Sequence, residues 1–555
     1  MVTFEINKNE LFRLAAIDIS DEKLIDLLAN LKVEAKITGD NVLCELTPDR
    51  ADMLSVIGIA RALRQYMGIE PGMQQINIQQ PQAELKVEDV RARQYIAAAF
   101  VRNLKIDEKF ILDIMHMQEY LHATIGRDRK KVAIGIHDAA RIQDPFTYKE
   151  VRAEDVRFIP LGSKRQMSLA EILKEHPKGK SYAHILSKYD FMPLLLDAKE
   201  RVISFPPIIN ASMTEVTKDT RDIFIEVTGT DKKAVYDVLN IIVFSLAFYG
   251  KATGSKAIVE AVKIAYKDNT DITPSPEPKV ITIDASSPGK LIGISISPQE
   301  IRDLLRKMGY NADITGDTIE VVVPPYRTDI FSEADVIEDI AIAYGYNNIR
   351  PELPNFFTTG GFGKKTTFTR KIRQIMIGFG AQEVLRFVLT NKNDNFTKMA
   401  VPEDAVVEIA NPVSSDYSIC RTWLLPSLLK ILPTNKHCTY PQKLFTVDDC
   451  IIPDHAQETR TRTIRKLCFV MCAEQVNLTH IKSIVEAIMN ALGIDFKIKS
   501  YDHPSFIPTR VGAIEVKGKT IGFFGEIHPQ VLTAWDIDKP VGAIEIEVEP
   551  LFEQL

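Results

Sequence analysis

Cysteine is scarce in this chain. Six residues are scattered over 555, and no two form a Cys-x-x-Cys pair. That excludes a disulfide framework, and free thiols fit a reducing cytoplasm. Cys468 and Cys472 lie in the apolar run Lys466–Cys472, where core packing is their expected use. No apolar run approaches a membrane span, and Met1–Leu14 lacks the layout of a secretory signal. An excess of positive charge is also missing. With a formal charge of −6, any contact with nucleic acid has to use local basic patches. Gly126–Lys131 is one such patch, and Lys364-Lys365 with Arg370-Lys371 and Arg373 is another. Such a patch is more often just a solvated surface. There is no phosphate loop either: Gly360–Lys365 lacks a preceding strand and the required spacing.

What is present is an ordinary globular composition, 45% hydrophobic and 26% charged. The length is too great for one core and predicts roughly three to five domains. Residues 1–80 predict a short strand, a helix over Asp21–Asn30 and a hairpin over Ala35–Leu46 turning at Gly39-Asp40-Asn41. The turn Pro48-Asp49 and the cap Ser55 then lead into a helix over Val56–Met67. Gln74–Ala83 and the proline-alternating Asp271–Pro278 read as linkers. Between them, 88–265 mixes strands (Ile96–Phe100, Val132–Ile136, Ile223–Thr228) with helices over Asp107–Tyr120 and Lys233–Tyr249. Beyond 355, a helix over Thr369–Phe379 and alternating runs at Gly512–Val516, Ile521–Gly525 and Val541–Val548 predict an α+β sheet domain.

Pro324–Tyr346 carries the densest chemistry. A helix over Pro298–Met308 and a strand over Ile319–Val323 precede it, and the strand stops at Pro324-Pro325, since proline cannot continue a hydrogen-bonded ladder. Ser332 and Asp335 have the spacing of a capping box. Val336, Ile337, Ile340, Ala341 and Tyr344 form one apolar stripe. Asp335, Glu338 and Asp339 fall roughly 175° away at 3.6 residues per turn. They are expected to face away from the core, with Asp329 on the preceding loop able to swing towards them. Two readings stay open. Acids in the first turns complement the helix dipole and keep a surface helix soluble. Four oxygen donors also suit magnesium, which keeps several waters and asks little of the protein.

Arg327-x-Asp329, Asp335-x-x-Glu338-Asp339 and Tyr344-Gly345-Tyr346 resemble the magnesium-binding module of the phenylalanyl-tRNA synthetase beta subunit family. Thr47–Ser55 resembles that family's N-terminal signature, and Asn411-Pro412, Arg421–Leu429 and Ile521–Pro529 resemble its core domain. The resemblance covers nearly the whole chain in the module order of the archaeal and eukaryotic cytosolic type. It implies a multidomain α+β protein. The expected parts are an N-terminal α/β module (1–80), a large editing domain (88–265), a DNA-binding-like helix-and-strand metal module (279–350) and a class II synthetase-like antiparallel sheet with helices (355–555). It also implies that Asp329, Asp335, Glu338 and Asp339 hold Mg2+ near an alpha-subunit contact. The bacterial form's added tRNA-binding barrel and anticodon-binding domain are not expected here.

The C-terminal sheet is expected to be catalytically silent. An adenylating class II site needs one arginine at the ATP α-phosphate and another at the γ-phosphate, because fixed cations stabilise charge developing at phosphorus. The chain has no Phe-Arg-x-Glu loop and no Gly-x-Gly-x-x-x-Arg near its C-terminus. Arg421 is followed by Thr422-Trp423, so a structural role is expected, and His528 reads as a cap.

The resemblance places Gln118, Glu119, Arg129 and Asn210 in an editing pocket. Glu119 or Asn210 would meet a tyrosyl hydroxyl, Arg129 the RNA terminus or the scissile ester, and Gln118 a water. Each also has a plain reading. Gln118 and Glu119 suit an exposed helix face, Arg129 a loop cation and Asn210 a turn cap. No activated nucleophile is recognisable, since Ser212 and Thr214 have no base beside them in sequence and His137 sits in a strand-like run. The implied protein pairs with an alpha subunit as an α2β2 heterotetramer in the cytoplasm. It would charge tRNA(Phe) with phenylalanine, using ATP and Mg2+, and clear mischarged tyrosine. A free-standing deacylase and a non-catalytic scaffold remain the alternatives.

Overall fold

A computed structural model describes residues 2–552. The chain divides into two compact units, 1–353 and 354–555. The first unit carries three larger sheets and a two-stranded one, Arg157–Phe158 with Met167–Ser168. In the N-terminal sheet Asn41–Leu46 lies between Val2–Asn7 and Val33–Thr38, and both pairings are antiparallel. The expected α/β module is therefore α+β, because the tight turn at Gly39-Asp40 joins neighbouring strands and forces them antiparallel. The helix Asp21–Asn30 forms as predicted, with Ser20 accepting from the Lys23 N–H. An unpredicted helix, Lys8–Ala15, is capped by Asn7 and buries Leu11 and Leu14.

The helix Val56–Tyr66, capped by Ser55, encloses buried charge. Asp52 lies 2.9 Å from Arg50 and 3.1 Å from Arg61, and all three are buried. Burial opposes ionisation of Asp52, but the two guanidinium groups outweigh it and hold the carboxyl well below the usual range. The Arg61 guanidinium stacks 3.7 Å from the Tyr326 ring, and Gln65 donates to the Tyr326 hydroxyl. These contacts bind the N-terminal sheet to the segment that carries the acids.

The largest sheet has ten strands. Nine follow in the order Ile209–Asn210, Val202–Phe205, Phe191–Leu196, Phe146–Arg152, Ile78–Val87, Ile258–Ala265, Tyr95–Arg102, Ile223–Gly229 and Val132–Asp138. Thr270–Thr273 pairs with Ile258–Ala265. Both stretches read as linkers thus contribute strands. Ile78–Val87 pairs in parallel with Ile258–Ala265, a partner that local sequence cannot reveal. Pro81 falls where that register shifts, the position a sheet tolerates for proline. The helix Lys232–Ala252 packs across this sheet. Contrary to expectation it is long and apolar enough to cross a membrane, yet 78% of its apolar window is buried in the core.

The third sheet runs Lys279–Asp284, Thr318–Val323, Asn311–Thr315, with helices Pro298–Lys307 and Glu333–Tyr344. The second unit is a seven-stranded sheet, antiparallel except for the short Gln382–Glu383. Helices Lys364–Gly378 and Leu478–Leu492 supply one apolar layer, and Trp423–Leu429 with Trp535 another. Cys468 and Cys472 are core residues, as expected.

Asp52→Ala leaves two guanidinium groups buried without a counter-charge. It is expected to destabilise the first unit by about 3–5 kcal/mol, seen as an earlier transition when the full chain is unfolded in urea. An unchanged transition would remove this network from the account of the fold.

Candidate functional site

Ile209–Asn210 and Val132–Asp138 are the last strands at opposite ends of the ten-stranded sheet. The sheet curls until these edges face each other, and the Asn210 amide reaches 3.4 Å from the Ile136 carbonyl. The edges do not pair. A cavity of about 460 Å³ occupies the seam, closed on one side by the helix Glu108–Ala123. Gln118, Glu119, Arg129 and Asn210 all line it, so the structure brings the sequence-predicted set together.

Their immediate work is to satisfy backbone that a tenth ladder would have satisfied. Gln118 donates to the Ile134 carbonyl at 2.8 Å, and the Ile134 N–H donates to His122 Nε2 at 2.8 Å. Arg129 donates to the carbonyls of Pro207 and Ile208, both at 3.2 Å, and to Glu119 at 2.7 Å. Its guanidinium also lies over the Tyr182 ring. Arg129 is buried, and these contacts tie it to the wall of the cavity that it lines. Arg127, Asp128 and Arg129 all have left-handed φ values, of 48°, 53° and 65°. Three successive non-glycine residues there store strain, which the Arg129 contacts offset.

Because His122 Nε2 accepts a backbone N–H, its own proton sits on Nδ1, aimed at Glu119 from 3.9 Å. That imidazole and the Arg129 guanidinium hold Glu119 down to about 2. Burial pushes His122 down to about 4. Glu119 is exposed at the rim, where Lys178 also approaches. It is an anion of the entrance. Asn210 is half-buried and its one long hydrogen bond leaves its amide the most available of the four.

Sequence reasoning passed over the deepest group. Glu226 lines the cavity, and its Oε1 accepts from Ser204 at 2.9 Å. Its Oε2 is buried without a partner. The signal was available: Ile223–Gly229 is an apolar strand with one acid in the middle. Thr214 does have a base beside it, contrary to the sequence reading, for His137 Nδ1 is 2.8 Å from its hydroxyl. The Thr214 hydroxyl is buried and also lies 3.0 Å from the Ala211 carbonyl, so it is wedged between the two.

The four acids of the metal motif converge on a second cavity of about 220 Å³. One of them departs from expectation: Asp339 is buried, 2.6 Å from Arg327, and accepts from the Tyr310 hydroxyl. A helical wheel cannot register that Arg327 and Tyr310 pack against that side of the helix. Burial works against the charge on Arg327, and Asp339 and Asp329 outweigh it. Asp329 holds the same guanidinium from 2.8 Å, Asp335 accepts the N–H groups of Phe331 and Ser332, and Glu338 pairs with Lys32. Among the described residues no three acid, histidine or cysteine side chains are placed to hold a metal ion. The donor set nonetheless fits a hard cation in chemistry and charge. Asp49, Asp329, Asp335, Glu338 and Asp339 line this cavity against Lys32, Arg50 and Arg327, leaving two negative charges over.

Family profiles match a B3/4 domain over 87–253, a tRNA synthetase B5 domain over 281–346 and a phenylalanyl tRNA synthetase beta chain CLM domain over 349–548. The phenylalanine–tRNA ligase beta subunit of Methanocaldococcus jannaschii is 39% identical over 99% of this chain and 100% of its own. That of Pyrococcus abyssi is 37% identical over the full length of both. This chain belongs to the phenylalanine–tRNA ligase beta subunit family. A crystal structure of an N-terminal fragment of the Pyrococcus horikoshii phenylalanyl-tRNA synthetase beta subunit is similar at a TM-score of 0.59 and 34% identity. It covers 62% of this chain and 100% of that fragment.

Within the beta-subunit CLM region, the charged groups of the sheet are committed to one another. Arg421 is buried, paired with Asp448 at 2.6 Å, and donates to the carbonyls of Asp449, Arg386 and Phe387. Lys466 pairs with Glu545 at 3.1 Å, and Glu545 accepts the N–H groups of Leu424 and Leu425. Arg421 is structural, as expected, and His528 caps the helix Pro529–Ala534.

His122 gives this part of the fold an acid-sensitive joint. Its unfolded pKa is 6.5 and its folded value about 4, so between them the unfolded chain binds a proton the folded chain cannot. Stability is expected to fall as pH drops from 6.5 towards 4. His122→Gln should flatten that slope in thermal unfolding of the full chain, and an unchanged slope would place the sensitivity elsewhere.

Proposed function

We propose that this chain is the editing subunit of a phenylalanine–tRNA ligase. With an alpha subunit, as an α2β2 heterotetramer, it supports ATP-dependent attachment of phenylalanine to tRNA(Phe), and its seam cavity hydrolyses tyrosyl-tRNA(Phe). The observation that carries this reading is Glu226, a buried carboxylate with one unpaired oxygen inside an otherwise largely apolar cavity.

A synthetic site for phenylalanine rejects tyrosine poorly, because an apolar pocket discriminates against an added hydroxyl by only about two orders of magnitude. A second site that bonds the hydroxyl reverses the preference. Glu226 accepts the phenolic O–H of tyrosine, whereas phenylalanine leaves that oxygen buried and unpaired. Gln118 and Asn210 orient the ester and a water at the seam. The water oxygen bonds to the ester carbonyl carbon, the bond from that carbon to the ribose oxygen breaks, and the ribose oxygen takes a proton. Because the Thr214 hydroxyl is buried between His137 and the Ala211 carbonyl, direct attack by water, helped by the hydroxyls of the tRNA terminus, is the favoured route. Exposed Arg127, Lys130 and Lys178 offer positive charge to the RNA.

Assembly is supported by apolar side chains left open on the second unit, among them Phe356, Phe357, Leu385, Phe387 and Val413. On the first unit, Asp329, Asp335, Glu338 and Asp339 would hold Mg2+ as a structural ion, with remaining ligands from water or the alpha subunit.

The test is deacylation of tyrosyl-tRNA(Phe) and phenylalanyl-tRNA(Phe) by the complex. Wild type should clear tyrosine selectively. Asn210→Ala should lose rate, and Glu226→Ala should lose roughly 100-fold in tyrosine preference while phenylalanine charging is unaffected. A wild type without preference would overturn the reading. Separately, calorimetric titration with MgCl2 should show a site in the complex that Glu338→Gln weakens by about tenfold or more. A complex that takes up no Mg2+ would remove the metal.

A further inference from the structure

We propose that His137 is a positioning residue for amino-acid discrimination: it holds one proton against Glu226, so that the other carboxylate oxygen is left as the acceptor for the substrate hydroxyl. This rests on the editing reading above and names the group that sets the state of its key carboxylate.

The argument starts from the strand Val132–Asp138. Ile134 and Ile136 belong to the helix-side core, so Gly135 and His137 face the inside of the curl. On the neighbouring strand Glu226 stands directly across from Gly135, and Phe224 across from His137. His137 is fully buried. The Thr214 hydroxyl lies 2.8 Å from His137 Nδ1 and 3.0 Å from the Ala211 carbonyl, and its hydrogen can go to either. Nε2, without a hydrogen-bond partner, faces Glu226 Oε1 from 3.8 Å.

A bare Nε2 opposite a carboxylate would set two acceptors against each other in a dry gap, the arrangement a protein interior avoids. A ring hydrogen on Nε2, with Nδ1 accepting from the Thr214 hydroxyl, removes the conflict. The other titratable groups near Glu226 are Arg93 and Tyr148. Arg93 donates to the Thr228 and Arg129 carbonyls, and Tyr148 to the Arg93 carbonyl. That leaves His137 to supply the proton. With Ser204 bonded to Oε1 and His137 facing it, Oε2 is the oxygen free for substrate.

Gly135 is an independent sign that the gap is built. A Cβ there would lie 2.3 Å from Glu226 Oε1 and 2.6 Å from His137 Nε2. Any side chain would wedge the pair apart, so glycine is required by the close approach, not by the local backbone.

Two polar variants separate the halves of the ring. His137→Asn places its amide where Nδ1 was, keeping the Thr214 contact and losing Glu226. His137→Gln places its amide where Nε2 was, keeping a donor for Glu226 and losing Thr214. Both would be assayed in the complex on tyrosyl- and phenylalanyl-tRNA(Phe). The tyrosine preference of His137→Asn should fall about tenfold or more, through a raised KM for the tyrosyl substrate at little-changed kcat, while His137→Gln should stay within about threefold of wild type. Equal losses in both variants, or a preference retained by His137→Asn, would overturn the role of His137 while leaving editing in place. A wild type that shows no tyrosine preference would overturn both.

Discussion

The first unit depends on a sheet that stops short of closing. A curled sheet either pairs its last two strands and becomes a barrel, or leaves two rows of backbone donors and acceptors to be satisfied by something else. Here side chains do it. Gln118, His122, Arg129 and Asn210 bond the free groups of Ile134, Ile136, Pro207 and Ile208. Each buried group left unpaired would cost about 1–3 kcal/mol, so these residues are part of the architecture before they are part of any chemistry. The cavity is the space their lengths hold open.

Charge burial plays the matching part at the acidic cavity. Asp52 with Arg50 and Arg61, and Arg327 with Asp329 and Asp339, are two buried networks that adjoin at this cavity. Neither is a large source of stability against an apolar alternative. Both fix which segment meets which, since a carboxylate without its guanidinium is far worse than the pair. That is how the loop before Glu333–Tyr344 is held against the N-terminal helices, and why Asp49, far off in sequence, lines the same cavity as the four motif acids.

Much of this was legible in the sequence wherever the cause was local. Asp21–Asn30 forms with the predicted ends because its cap and apolar period lie within the segment. The four editing candidates share one cavity, and the four acids another. What escaped was decided by distant neighbours. Ile78–Val87 looks like a polar spacer until Ile258–Ala265 lies beside it. Asp339 sits on the polar side of its own helix, yet Tyr310 and Arg327 enclose it. Arg129 looks like a free loop cation, and a backbone turn sends it inward. Glu226 was the readable omission, since an acid in the centre of a buried strand has to be serving something.

The seam also fixes how the cavity can move. A wall made of paired strands opens by breaking a cooperative ladder, on the slow timescale of local unfolding. A wall made of Asn210, Gln118 and an arginine opens by rotating single side chains, which is many orders of magnitude faster. Admission and release of a bulky ligand would therefore need no rearrangement of the sheet. The carboxylate that would choose between substrates lies inside the paired ladder and stays still while the entrance fluctuates.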